Sequence, residues 1–102
     1  MAFRISEDAE ADLDRIWLYV ARESGSADIA TRAVENISDR FWLLGENPRL
    51  GRRRDHDLRP GLRTFPADDH VIVYRLAEND LVIILFLVHG SRDIEEQIRL
   101  RS

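Results

Sequence analysis

Arginine is the residue through which this sequence offers chemistry. The stretch NPRLGRRRDHDLRPGLRTF, Asn47 to Phe65, sets Arg49, Arg52, Arg53, Arg54, Arg59 and Arg63 within fifteen residues of a chain that has no lysine. A guanidinium is a planar fork that grips a carboxylate or phosphate through two parallel N–H bonds, and an ammonium cannot. Such a run has three readings: a solvated loop, a phosphate-binding catalytic pocket, or a docking surface for an acidic partner. A catalytic pocket also needs an acid or base. His89, in LVHGSRD at the end of the most apolar stretch, is of the residue type suited to act as acid or base. Tyr74 and Arg75 lie on the preceding predicted strand, Arg63 on the one before, and Arg92 three residues beyond His89. Pairing of these strands as a meander would bring Arg63, Tyr74 and His89 together. No carboxylate clearly joins them, and Asp93 reads as a helix cap.

The charge pattern argues for a local site. The chain is acidic, with a net charge of -4. Residues 1–48 hold five arginines against ten carboxylates, and residues 64–102 hold four against seven. Residues 49–63 hold six against two, a local charge of +4. A general nucleic-acid binder is basic as a whole, whereas a confined positive patch marks a site.

Composition excludes several classes. With 44% apolar and 33% charged residues, 102 residues make an ordinary globular protein, expected as a single domain over residues 1–102. Absence of cysteine removes disulfides and thiolate chemistry. His56, His70 and His89 are far apart in sequence and form no H-x-x-x-H pair, so neither a metal nor a cofactor is expected. The acidic N-terminal stretch has no apolar signal region, and the longest apolar run, Leu81–Val88, is far short of the roughly 20 residues that span a bilayer. A cytoplasmic protein is expected.

The elements that must position these groups follow from periodicity. AFRIS reads as a short strand, with Ser6 capping the helix after it. Ala9, Leu13, Ile16, Trp17 and Val20 form one apolar stripe, and Glu10, Asp12, Asp14 and Arg15 fall mostly off it. ESGS breaks that helix and Ser26 caps a second, with stripe Ala30, Val34, Ile37, Phe41 and Leu44. Gly45 and Asn47-Pro48 are expected to stop it. GLRTF, HVIVYRL and LVIILFLV read as an antiparallel meander, and DIEEQIRLRS as a short helix. The class is α+β: N-terminal strand, antiparallel αα-hairpin, three-stranded meander, short C-terminal helix. The last strand is apolar on both faces, with Val82, Ile84, Phe86 and Val88 on one and Ile83, Leu85 and Leu87 on the other. The hairpin covers one face, and the other is expected to stay open for another chain.

This order of elements, carried by ISEDAEADLDRIWLYVARESGS, FWLLGENPRLGRRRDHDLRPGLRTFP, HVIVYRL and LVHGSRD, resembles the ParE/RelE superfamily of type II toxins, the ParE branch most closely. The likeness spans nearly the whole chain. The ordered set N-P-x-x-G-R, P-G-L-R, Y-R and H-G-x-R-D is more specific than any piece of it. The resemblance implies a toxin that inhibits DNA gyrase by trapping its cleaved-DNA complex, so blocking replication, and that acts by binding rather than by catalysis. It implies an acidic, ParD-like antitoxin whose C-terminal segment wraps the toxin. Operator DNA would be reached only through the antitoxin. On this reading Arg52, Arg59, Arg63, Tyr74, Arg75, His89 and Arg92 form the target- and antitoxin-binding surface, and the helix grooves and open sheet face hold the antitoxin. The alternative is a RelE-like, ribosome-dependent mRNA endonuclease using Arg63, Tyr74 and His89. The acidic chain and the lack of a nearby glutamate count against it.

Overall fold

Ser6 is the hinge between the first two elements of the computed structural model, which describes residues 2–101. It ends strand β1 (Phe3–Ile5), and its hydroxyl oxygen accepts the Ala9 N–H at 3.0 Å to cap helix α1 (Glu7–Ser24). Glu7, Asp8 and Glu10 place negative charge against the exposed amides of the first turn. Gly25, at φ 69°, closes the helix in the left-handed conformation that a Cβ would oppose. Ser26 then caps helix α2 (Ala27–Glu46) by accepting the Ile29 N–H. The expected stop at Gly45 does not occur. The helix runs on to Glu46, and Asn47 ends it by donating its N–H to Leu43 and Leu44 carbonyls. Gly45 is buried, and Phe3 packs where its side chain would project.

The five strands are β1, β2 (Arg52–Arg53), β3 (Leu62–Ala67), β4 (His70–Leu76) and β5 (Val82–His89), in sheet order β1-β5-β4-β3-β2. β3, β4 and β5 form the expected antiparallel meander. β1 pairs parallel with β5, Phe3 to Ile5 against Val82 to Ile84. The β4–β5 turn passes through Asn79 and Asp80 at φ 58° and 59°, a region that Asn and Asp tolerate better than most residues. β2 was not anticipated. It adds two residues, Arg52 opposite Thr64 and Arg53 opposite Arg63.

The expected alternation along β5 is broken by a bulge. Tyr74 pairs with Ile84 but Val73 pairs with Phe86, so Leu85 is an extra residue. The phase slips there, and side chains beyond it exchange faces. Val82, Ile84 and Leu87 therefore share one core with Ala9, Ile16, Ile37, Phe41, Leu44, Ile72 and Tyr74, under the helical hairpin. Phe86 and Val88 join Leu62, Val73 and Ile98 in a second core on the other side. That second face is less open than expected. Ile98 of helix α3 (Ile94–Leu100, capped by Asp93) lies against it, with Ile94 and Leu58 packed alongside. Burying each large apolar side chain stabilises the fold by roughly 1.5–3 kcal/mol.

Asp12 is the other departure. It was assigned off the apolar stripe, yet it is buried. Its Oδ2 accepts the Leu87 N–H at 2.9 Å, and Arg101 grips both carboxylate oxygens at 2.9 and 3.0 Å. β1 reaches along β5 only to Ile84. Past that point Ser6 donates its N–H to the Ile84 carbonyl and its hydroxyl to the Leu85 carbonyl, and Asp12 takes the next amide. Two side chains thus continue the edge that a strand would otherwise pair. Among the described residues no helix is long and apolar enough to cross a membrane.

Candidate functional site

Most arginines of the Arg49–Arg63 segment hold the segment itself. Arg49 bonds Asp80 at 2.7 Å, which lowers the Asp80 carboxyl pKa and raises that of the guanidinium. Asp55 lies below the usual carboxylate range because it accepts the Gly61 N–H at 2.7 Å and a bond from Arg53 at 2.8 Å. Arg54 forks onto Asp57 and reaches Thr64 Oγ1 at 3.0 Å, and its bond holds the Asp57 pKa down. Arg63 donates to the Gly51 and Arg49 carbonyls at 2.8 and 3.2 Å. These pairs, local for Arg53 and Arg54 and longer-range for Arg49, hold a turn-rich loop that has little apolar content of its own.

Arg63 and Tyr74 are direct cross-strand partners, as the meander predicts. Tyr74, however, is fully buried. Its hydroxyl donates to the Pro48 carbonyl at 2.9 Å and accepts the Gly51 N–H at 2.8 Å. Burial raises its pKa, opposed by the Gly51 bond and the Arg63 charge. A Cβ at Gly51 would collide with the Tyr74 ring, so glycine is required there by the approach of backbone to phenol. Tyr74 anchors the loop.

His89 does not join them. It pairs with His70, four residues along β4 from Tyr74, which is roughly 13 Å at about 3.3 Å per residue. The bulge sets this register, since an unbroken ladder would place Val88 opposite His70. The two imidazoles meet edge to face with ring centroids 5.1 Å apart. Burial lowers the His70 pKa, and the charge of His89 lowers it further, against Asp69, Asp12 and Asp68. His89 is exposed, and its Nδ1 accepts the Ser91 N–H at 3.2 Å and lies 2.6 Å from Ser91 Oγ. Both rings line a cleft of about 590 Å³ with Tyr19 of α1, Arg92, and the ion cluster Asp12–Arg15–Arg101. His70 and Asp12 are among the cleft residues that sequence reading passed over. The signal for Asp12 was present: Ala9, Asp12 and Ile16 share the 3, 4 spacing of the buried stripe.

The remaining arginines gather on the outer face of the sheet, away from the helical hairpin. By register Arg4, Ile83, Arg75 and Leu62 form one row across β1, β5, β4 and β3. Arg52 lies opposite Thr64, in the adjacent row with Val73 and Phe86. Arg4, Arg52 and Arg75 are exposed, and their side chains form no hydrogen bond or ion pair among the described residues. Neighbouring members are two strands apart, roughly 10 Å. Arg59 is also exposed and lines a separate hollow of about 540 Å³ beside Asp93, Glu95 and Glu96 of the α3 end. Arg52 and Arg75 therefore share a surface, Arg59 stands beside α3, Arg63 and Tyr74 are absorbed into the scaffold, and His89 and Arg92 belong to the cleft. Among the described residues no group of three or more His, Cys, Asp or Glu is placed to hold a metal ion.

The fold and the sequence match known proteins. A chain of a solved structure titled "Chromosomal ParDE TA system from P. aeruginosa" superposes with a TM-score of 0.73 over 87% of this chain and 95% of that one, at 24% identity. That likeness is one of fold: a small α+β protein. The sequence goes further. The profile of the ParE toxin of type II toxin–antitoxin systems, parDE, matches residues 3–94, and the chain belongs to this family. Toxin ParE3 of Caulobacter vibrioides is 39% identical over 87 residues, covering 85% of this chain and 84% of that protein. Toxin ParE1 of the same organism is 34% identical over 89 residues, covering 87% and 88%. Toxin ParE1 of Mycobacterium tuberculosis is 28% identical over 96 residues, covering 94% and 96%.

Proposed function

We propose that this ParE toxin acts in the cytoplasm by binding, inhibiting DNA gyrase and so blocking replication, and that a cognate ParD-like antitoxin neutralises it. The observation that carries the proposal is the outer sheet face. Arg4, Arg52 and Arg75 are exposed, form no side-chain hydrogen bond or ion pair among the described residues, and stand around the half-buried Ile83. Free guanidinium forks beside apolar side chains suit an extended acidic, amphipathic segment, whose carboxylates pair with arginine while its apolar residues meet the sheet. Leu18, Ile29, Trp42 and Leu43, all exposed on the helical hairpin, offer further apolar area for a segment that wraps the molecule. Operator DNA enters this scheme only through the antitoxin. The separation of His89 from Arg63 and Tyr74 weighs against the ribonuclease reading, because acid–base chemistry needs its groups within hydrogen-bond reach of one reacting centre.

The test is a gyrase supercoiling and cleavage assay with the purified, antitoxin-free protein. The expected result is loss of supercoiling with accumulation of linear DNA, reversed by the antitoxin. Unimpaired gyrase at saturating toxin, with mRNA cut on translating ribosomes instead, would overturn the proposal.

A further inference from the structure

We propose that the cleft between α1, the His70–His89 end of the sheet and α3 is a mononucleotide site. In it His89 and Arg92 hold the phosphate, and Tyr19 stacks on the base. The first support is the setting of His89. The Ser91 N–H meets its Nδ1 at 3.2 Å, and Ser91 Oγ lies 2.6 Å from the same nitrogen. Nε2 is therefore the ring nitrogen left to meet a ligand, and with its proton it donates to an anion.

The second support is charge. Arg15 and Arg101 both pair with buried Asp12 and neutralise it, leaving Asp69 as the other carboxylate of the cleft. Arg92 is exposed, and its side chain forms no hydrogen bond or ion pair among the described residues. Three arginines and two imidazoles thus face two carboxylates, within a chain whose net charge is -4. Such an enclave attracts a compact anion. His70, edge-on to His89 at 5.1 Å, gives the anion a second imidazole.

The third support selects a nucleotide over bare phosphate. Tyr19 is 66% exposed, lies one helical turn beyond Arg15 on α1, and lines the same cleft. An exposed aromatic ring beside arginine is a stacking platform for a base. At about 590 Å³ the cleft is within the range that small ligands occupy.

The experiment titrates the full chain, free of antitoxin, with inorganic phosphate, AMP and adenosine near neutral pH, reading the ring signals of His70 and His89 by NMR. Phosphate and AMP are expected to move both rings saturably, AMP the more tightly, and adenosine to move them little. Arg92→Ala is expected to weaken both anions about tenfold, the worth of one charged hydrogen bond. Tyr19→Ala is expected to remove the advantage of AMP and leave phosphate binding unchanged. No saturable shift with AMP, or shifts unaltered by Arg92→Ala, would overturn the site. Equal affinities for phosphate and AMP, or an AMP affinity unmoved by Tyr19→Ala, would overturn its base-binding half. Neither gyrase nor antitoxin enters the experiment, so its failure is separate from failure of the toxin mechanism.

Discussion

Two sets of arginines divide the molecule. Arg54, Arg63 and Arg101 are tied to Asp57 and Thr64, to loop carbonyls, and to Asp12. Arg4, Arg52 and Arg75, on the outer sheet face, form no side-chain hydrogen bond or ion pair among the described residues. Side-chain chemistry is the same in both, and only the partner differs. Arginine inside its own network builds structure, and arginine left over is available for recognition. The basic run in the sequence is therefore mostly architecture, and the proposed recognition surface draws on residues far outside it.

The comparison is tested hardest at Asp12. Asp12→Ala strands the Arg101 guanidinium and the buried Leu87 amide together, and it is expected to cost about 3–5 kcal/mol by denaturant titration. Asp12→Asn keeps one acceptor and should cost less. A loss below about 1 kcal/mol for the alanine variant would show that this pairing is not architectural. Next is the loop anchor. Tyr74→Phe leaves the Gly51 N–H without its buried acceptor, for an expected loss of about 1–3 kcal/mol. Gly51→Ala should cost at least as much, since the new Cβ meets the phenol ring. The free set should behave in the opposite way. Arg52→Glu with Arg75→Glu is expected to change stability by no more than about 0.5 kcal/mol while weakening antitoxin binding at least about tenfold by calorimetry. A large stability loss with intact binding would erase the distinction.

The smallest effect is that of pH. The folded-state pKa of His70 lies below the ordinary histidine value of 6.5, so below that value the unfolded chain binds the extra proton first. Stability should therefore fall as pH drops through the histidine range and be recovered on returning above it. Melting temperature against pH checks this, and His70→Asn should flatten the slope.

How much of this was legible follows from physics. Helices α1 and α2 showed in the 3, 4 spacing of their stripes and in Ser6 and Ser26, because caps and periodicity are local. The meander showed in its β-branched runs. The bulge at Leu85 did not, because LVIILFLV is apolar throughout and an apolar run carries no phase. With it went the pairing of His70 with His89. The fate of the arginines was half legible: Arg53 with Asp55 and Arg54 with Asp57 are neighbours in sequence, whereas Arg49 with Asp80 and Arg101 with Asp12 depend on the finished fold. Arg4 gave no signal, since its role depends on β1 lying beside β5.

That placement of β1 bears on when the protein becomes whole. Among the described residues the one neighbour of β1 in the sheet is β5, some eighty residues later in the chain, and Ser6 bonds Leu85 across the same gap. During synthesis the helical hairpin can form early, but the first strand has nothing to pair with until β5 has been made. Closing a loop of this length delays completion of the sheet. Because Arg4 joins the proposed recognition row only when β1 docks, that row is completed only once β5 has been made. On the proposed mechanism, a nascent toxin passes most of its synthesis without the surface assigned to recognition.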